Sequence, residues 1–139
     1  MSLVLGAEAD PTVARLSAIL NVFSRFVAVG WLAAGLVEWA RLLGILPLGG
    51  TLFPAAPFAL QALTVVFAML TLLVAVGLWL LAAWGAIVWG AAIAGQTAGE
   101  LLIEGATYPQ GVLVLNALTL FIYCLILLLI ARRRRIARG

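Results

Sequence analysis

The sequence predicts an all-α polytopic membrane protein: a single domain, residues 1–139, folded as a bundle of four transmembrane helices. Three observations carry this reading. The chain is 66% hydrophobic and only 9% charged, whereas a soluble domain is about half apolar and about a quarter charged. Breaker-rich or polar segments divide the apolar sequence into lengths that fit a bilayer. Arginines gather at one end of the spans so defined. The mean hydropathy of +1.25 leaves too little polar surface to coat a water-soluble globule, so lipid must cover much of the outside.

The first ten residues lack the basic and long apolar regions of a secretory signal. Asp10-Pro11 reads as a helix start, with Asp capping free N–H groups and Pro suited to the first helical position. The helix that follows is predicted to run from Pro11 to Leu43, about 50 Å at 1.5 Å per residue. This exceeds a hydrocarbon core of about 30 Å. Arg15, Ser17, Asn21, Ser24 and Arg25 make its first half interfacial, and the span proper is placed at 23–42. Between Gly44 and Pro57, three glycines and three prolines predict a loop. Its residues Ile45, Leu46, Leu48, Leu52 and Phe53 are apolar enough to lie at the membrane interface.

From Phe58 to Ala94 the chain is almost continuously apolar. As one helix it would be about 55 Å long, too long for one crossing. A tight turn is therefore predicted at Leu80–Ala83, between Trp79 and Trp84, because Trp prefers the headgroup level. This gives spans at 57–79 and 84–103. A polar loop carrying Glu100, Glu104, Gly105, Tyr108 and Pro109 follows. The fourth span is placed at 112–131, ending in a basic tail, 132–139.

The eight basic residues are all arginine. Cytoplasmic flanks carry the excess of basic residues. Arg132, Arg133, Arg134, Arg135 and Arg138 therefore place the C-terminus in the cytoplasm, on headgroups of anionic lipid. Four spans return the N-terminus to that side, where Arg15 and Arg25 agree; Arg41 alone opposes the trend. The predicted location is a bacterial inner membrane, with both termini cytoplasmic and no nucleic-acid role for the basic tail.

The absence of His excludes Ser-His-Asp and Cys-His catalysis, bis-His or His/Met haem, and many zinc and copper sites. Cys124 is the only cysteine, so no disulfide forms within the chain; its apolar surroundings predict a small buried residue. No Walker loop, HExxH or CxxC motif is present. The sequence therefore predicts no enzyme, no cofactor and no metal.

The polar residues of the spans share a depth. Glu38 and Arg41 lie three apart on one face of the first helix, where they can pair. Gln61 lies one turn into the second helix, Gln96 and Glu100 near the end of the third, and Asn116 about one turn into the fourth. Convergence of these six would make a polar pocket opening outward; the alternative is hydrogen bonding between helices, at about 0.6 kcal/mol each. Small residues four apart, Gly30 and Ala34 in the first helix and Ala91, Gly95 and Gly99 in the third, predict close helix packing, within the bundle or against a partner.

The run Ala75-Val76-Gly77-Leu78-Trp79-Leu80-Leu81-Ala82-Ala83-Trp84-Gly85-Ala86-Ile87-Val88-Trp89 is the most distinctive. Together with Trp39-Ala40-Arg41-Leu42-Leu43-Gly44 it resembles small four-span inner-membrane proteins of alphaproteobacteria, a family classed only as a domain of unknown function. The resemblance implies a turn between the second and third helices. Many of these relatives carry Arg in that turn, where this chain has Ala82-Ala83. The resemblance carries no activity over.

The functional expectation is a non-enzymatic accessory or scaffold subunit of a larger membrane complex, with an integral-membrane partner or a second copy of itself. The alternative is a small oligomeric transporter or channel using the cluster around Glu38. Four spans and an intramembrane Glu resemble the small multidrug-resistance exporters. Those place the Glu near the middle of the first helix, whereas Glu38 is peripheral.

Overall fold

The computed structural model describes residues 11–103 and 110–136. Four helices account for most of them: α1 (Pro11–Leu42), α2 (Phe58–Trp79), α3 (Ala83–Leu102) and α4 (Gln110–Ile136). The predicted turn at Leu80–Ala83 lies within one residue of the observed break between α2 and α3. The predicted cap at Asp10 and the Glu104–Pro109 loop lie outside the described residues. Glu100, expected in the polar loop, lies within α3, and α4 continues through Arg132–Arg135 to Ile136, so these arginines extend the helix. Cations are favourable near a helix C-terminus, where unsatisfied carbonyls carry partial negative charge.

α1, α2 and α4 are each long and apolar enough to cross a membrane. α3, with 20 residues, is about 30 Å long but less apolar, because it carries Gln96, Glu100 and four glycines.

The buried positions show how the helices meet. In α1 they are Ser24, Ala28, Trp31, Gly35 and Glu38. In α3 they are Gly85, Trp89, Ala92, Gln96 and Gly99. Both series step by four and three in alternation. α2 repeats the pattern through Leu60, Thr64, Phe67, Thr71, Val74 and Leu78. A 3.5-residue repeat keeps one stripe facing its neighbours only if the helices coil left-handedly about each other.

Neighbouring helices run antiparallel. Gly77 faces Gly85, Phe67 faces Gly95 and Leu63 faces Gly99, equal steps back along α2 and forward along α3. The α3–α4 pairs, Trp89 with Tyr123 and Gln96 with Asn116, obey the same rule. α1 packs most extensively on α2 and α4 most thinly on its neighbours. Among the described residues of α4, Ile130 alone is buried. The main core joins Ala28 and Trp31 of α1, Val74, Ala75 and Leu78 of α2, and Trp89 and Ala92 of α3.

Two reverse turns share one device. After α1, Ile45 N–H donates to Ala40 O and Gly44 N–H to Arg41 O, with Gly44 at φ +73°. This is the Schellman arrangement, which needs a left-handed residue and favours Gly there. After α2, Ala82 N–H donates to Gly77 O and Leu81 N–H to Leu78 O. Here the left-handed position is held by Leu81, at φ 55°.

Candidate functional site

The shared depth of the polar residues places them at one end of the bundle, but hydrogen bonding divides them into three groups. No hydrogen bond among the described residues links one group to another.

Glu38 and Arg41 form the first. They stand one turn apart near the C-terminal end of α1, and Arg41 Nη1 donates to Glu38 Oε1 at 2.7 Å. The carboxylate side chain is 9% exposed and the guanidinium side chain 30%. A buried carboxylate is costly unless paired. Arg41 is long enough to cover the acid while keeping part of itself toward polar surroundings. The next helical turn holds Gly35, whose absent Cβ would lie 3.0 Å from Thr71 Oγ1, so α1 sits close on α2 immediately beside the ion pair.

Gln61 forms the second. Its Nε2 donates to Phe53 O at 2.9 Å and Ala56 O at 3.0 Å. It therefore staples the loop between α1 and α2 instead of facing another helix. That loop is ordered by its own chemistry. Leu48 and Thr51 pair across Gly49-Gly50, whose φ values of 56° and 84° suit a tight turn that requires left-handed backbone at both positions. Leu48, Ala56 and Leu60 form a small second core with Phe53, Leu63 and Ile103 around them, closing this end of the bundle. That nearby loop carbonyls take the Gln61 amide is not apparent from its place one turn into the second helix.

Gln96 and Asn116 form the third. Asn116 Nδ2 donates to Gln96 Oε1 at 3.2 Å, and Gln96 is 6% exposed. Both line a groove of about 420 Å³ between α1 and α4. Its α1 wall runs from Phe23 and Val27 past Gly30 to Ala34, and α4 supplies Val112, Leu115 and Thr119. Glu100, on α3, is half-buried and lies outside this lining.

The predicted small-residue stripes divide. Gly95 packs against Phe67 and Gly99 against Leu63. Ala91 is exposed. Gly30 and Ala34 are exposed too, and a Cβ at Gly30 would meet nothing within 4 Å. They form the groove wall, not a helix contact. A stripe of residues four apart drifts around a helix, whereas the contacts here alternate steps of four and three. The closest backbone approach was missed. A Cβ on Gly77 would lie 2.6 Å from Gly85 Cα, and one on Gly85 would lie 2.5 Å from the Gly77 carbonyl carbon. The usable signal was the glycine on each side of the Trp79–Trp84 turn.

Cys124 is exposed on the outer face of α4, contrary to the expectation of burial. At the other end of the bundle, Arg25 lies over the Trp79 ring at 5.6 Å, a cation–π distance. Arg132–Arg135 are exposed on the last turns of α4; Arg138 lies outside the described residues. Inside the bundle, Trp89 meets Tyr123 edge to face at 5.7 Å. Among the described residues, Trp89 Nε1 and Ser24 Oγ are buried without a hydrogen-bond partner.

Helices of this length and apolarity define a class, the small helical membrane proteins. Within it, the chain belongs to the family described as Family of unknown function (DUF6163), which matches residues 18–134. No curated protein and no solved structure matches it.

Proposed function

We propose that the chain is a four-span bacterial inner-membrane protein with both ends cytoplasmic, of alphaproteobacterial type, and that it serves as a non-enzymatic accessory subunit within a larger membrane assembly. Two features support the four spans. α3 lies antiparallel along α2 through Gly85, Gly95 and Gly99, so it occupies the depths that α2 crosses. Its amide residue, Gln96, faces inward and is bonded to Asn116, which removes part of the cost of carrying an amide through lipid. The arginine bias supports the orientation.

The observation that carries the accessory role is α4. It is long and apolar enough to span, yet Val114, Leu118, Phe121, Leu125 and Leu128 are all exposed. Helix association in lipid relies on packing and polar contacts, and α4 leaves most of that capacity unused. The polar groups, by contrast, are held locally by Arg41, by the 53–56 carbonyls and by Asn116.

Site-specific photo-crosslinking in the native membrane tests the role. A crosslinker at Phe121 should give one discrete protein adduct that a crosslinker at Met69 on α2 does not. Gentle extraction should then co-purify that protein with the chain. A lone monomer with no adduct from either position would refute it.

A further inference from the structure

Arg25 is held across two helices with its hydrogen-bonding capacity unspent. Its guanidinium lies over the Trp79 ring at 5.6 Å, so it joins α1 to the end of α2. The packing fixes its level. Gly35 meets Thr71 and Leu72, and the two helices run antiparallel. Arg25, ten residues back along α1, therefore stands beside the turn at Leu81–Ala82. A guanidinium carries five N–H donors. Among the described residues, none of those of Arg25 donates a hydrogen bond and no carboxylate pairs with it.

The described carboxylates, Glu38 and Glu100, both lie at the opposite end of the bundle. Glu38 is thirteen residues further along α1, about 20 Å, far beyond ion-pair reach. Arg132–Arg135 add four exposed cations at the Arg25 end. The counter-charge for this end therefore comes from outside the described residues, and the surface around Arg25 selects its form. Trp79, Leu80 and Trp84 are exposed beside it. Val29 and Leu32, one and two turns on along the same face of α1, are exposed too, as is Val76, one turn before Trp79. These residues make an apolar lane that runs inward from Arg25 and Trp79 until Gly35 closes on Leu72. A water-soluble anion would neutralise the guanidinium and leave the lane uncovered. A phospholipid covers both, its phosphate on the cation and an acyl chain on the lane. Net charge decides among phospholipids: a zwitterionic headgroup brings an ammonium in among arginines, and an anionic one does not.

We propose that Arg25 and Trp79 form a site for one anionic glycerophospholipid. The headgroup phosphate accepts from the Arg25 N–H groups, and an acyl chain runs inward along Val29, Leu32 and Val76. The α4 arginines raise the local concentration of such lipids, whereas Arg25 and Trp79 hold one molecule. The site rests on the membrane-spanning reading above but not on the accessory role.

Native mass spectrometry tests it, on full-length protein released from detergent micelles doped with phosphatidylglycerol or phosphatidylethanolamine of identical acyl chains. Wild type should retain one phosphatidylglycerol in preference to phosphatidylethanolamine. Arg25→Gln should weaken that retention about fivefold, one arginine's share at an anionic surface. Its helix content in zwitterionic lipid, followed by circular dichroism, should stay at the wild-type value, because Arg25 is exposed. Trp79→Leu keeps the lane apolar but removes the ring, and should weaken retention about two- to fivefold. Replacing Arg132–Arg135 together by Gln should lower total lipid uptake while the first lipid bound remains anionic. Equal retention of both lipids by wild type would overturn the site. So would a preference untouched by Arg25→Gln and abolished by the four α4 substitutions. Displacement of the bound lipid by inorganic phosphate or by a polyglutamate peptide would overturn the lipid assignment. A chain that stays soluble without detergent and retains neither lipid would overturn the membrane-spanning reading and the site together.

Discussion

Gly85→Ala is the sharpest perturbation of the bundle, because two opposing effects can be weighed. Ala is the better helix former by about 0.8–1.0 kcal/mol, so the helix taken alone gains. The new Cβ, however, would lie 2.5 Å from the Gly77 carbonyl carbon, 2.7 Å from its oxygen and 2.8 Å from its Cα. Comfortable contact is about 3.5–4.0 Å, so α3 must retreat by about 1 Å from backbone that cannot rotate away. A radial gap of that size forfeits a quarter to a half of each affected van der Waals contact. Overpacking of this kind costs about 1–3 kcal/mol, which after the propensity gain leaves a net loss of about 0–2 kcal/mol. Gly90→Ala is the matched control. It lies on the same helix, and its Cβ would meet nothing within 4 Å, so it should gain up to about 1 kcal/mol from helix propensity. Reversible SDS-titrated unfolding, followed by the fluorescence of the five Trp residues, reads both variants. Adding Gly77→Ala to Gly85→Ala should cost less than the sum of the two, since one retreat accommodates both. If Gly85→Ala proves as stable as Gly90→Ala, the close α2–α3 approach is wrong.

The other predictions concern turns and polar groups. Arg41→Gln should destabilise by about 1.5–3 kcal/mol, because it strands a carboxylate that is 9% exposed. Glu38→Gln should cost less than that in the same unfolding assay, since the freed Arg41 can extend toward headgroups. Gln61→Leu should leave global unfolding within about 2 kcal/mol of wild type while accelerating proteolysis or hydrogen exchange across the 44–57 loop; unchanged local protection would count against the staple. Leu81→Gly should be neutral or stabilising by up to about 1 kcal/mol, whereas Leu81→Val should lose more than that, because a left-handed φ of 55° suits Gly and strains a β-branched residue. A Val variant as stable as the Gly variant would refute the left-handed turn.

The element layout was legible because hydrophobic run length and breakers report directly on bilayer thickness. Trp79 and Trp84 marked a turn that hydropathy alone would have merged into one helix, and Gly49-Gly50 with the neighbouring prolines marked the loop. Helix rotation was not legible in the same way. Inside lipid both faces of a helix are apolar, so the usual contrast between core and surface vanishes. Spacing of four drew attention to Gly30, Ala34 and Ala91, while the contacts follow the four-and-three rhythm of Ser24, Ala28, Trp31, Gly35 and Glu38. The Glu38–Arg41 pair was legible in the three-residue spacing, but the partners of Gln61 and Gln96 were not. Arg41 lay within reach on the same helix. The acceptors of Gln61 are loop carbonyls, and the partner of Gln96 depends on how α3 and α4 face each other. Cys124 was misread for the same reason, as an apolar neighbourhood in sequence does not distinguish lipid from core.

The central claim is that α3 crosses the membrane with the other three helices, and paired single cysteines test it most directly. In a Cys124→Ser background, Gly50→Cys marks the α1–α2 loop and Ile136→Cys marks the end of α4. Four spans predict opposite sides: a membrane-impermeant maleimide labels Gly50→Cys in intact cells and Ile136→Cys only after lysis. Labelling of both positions from the same side would contradict the account, because α4 would then have crossed without α3.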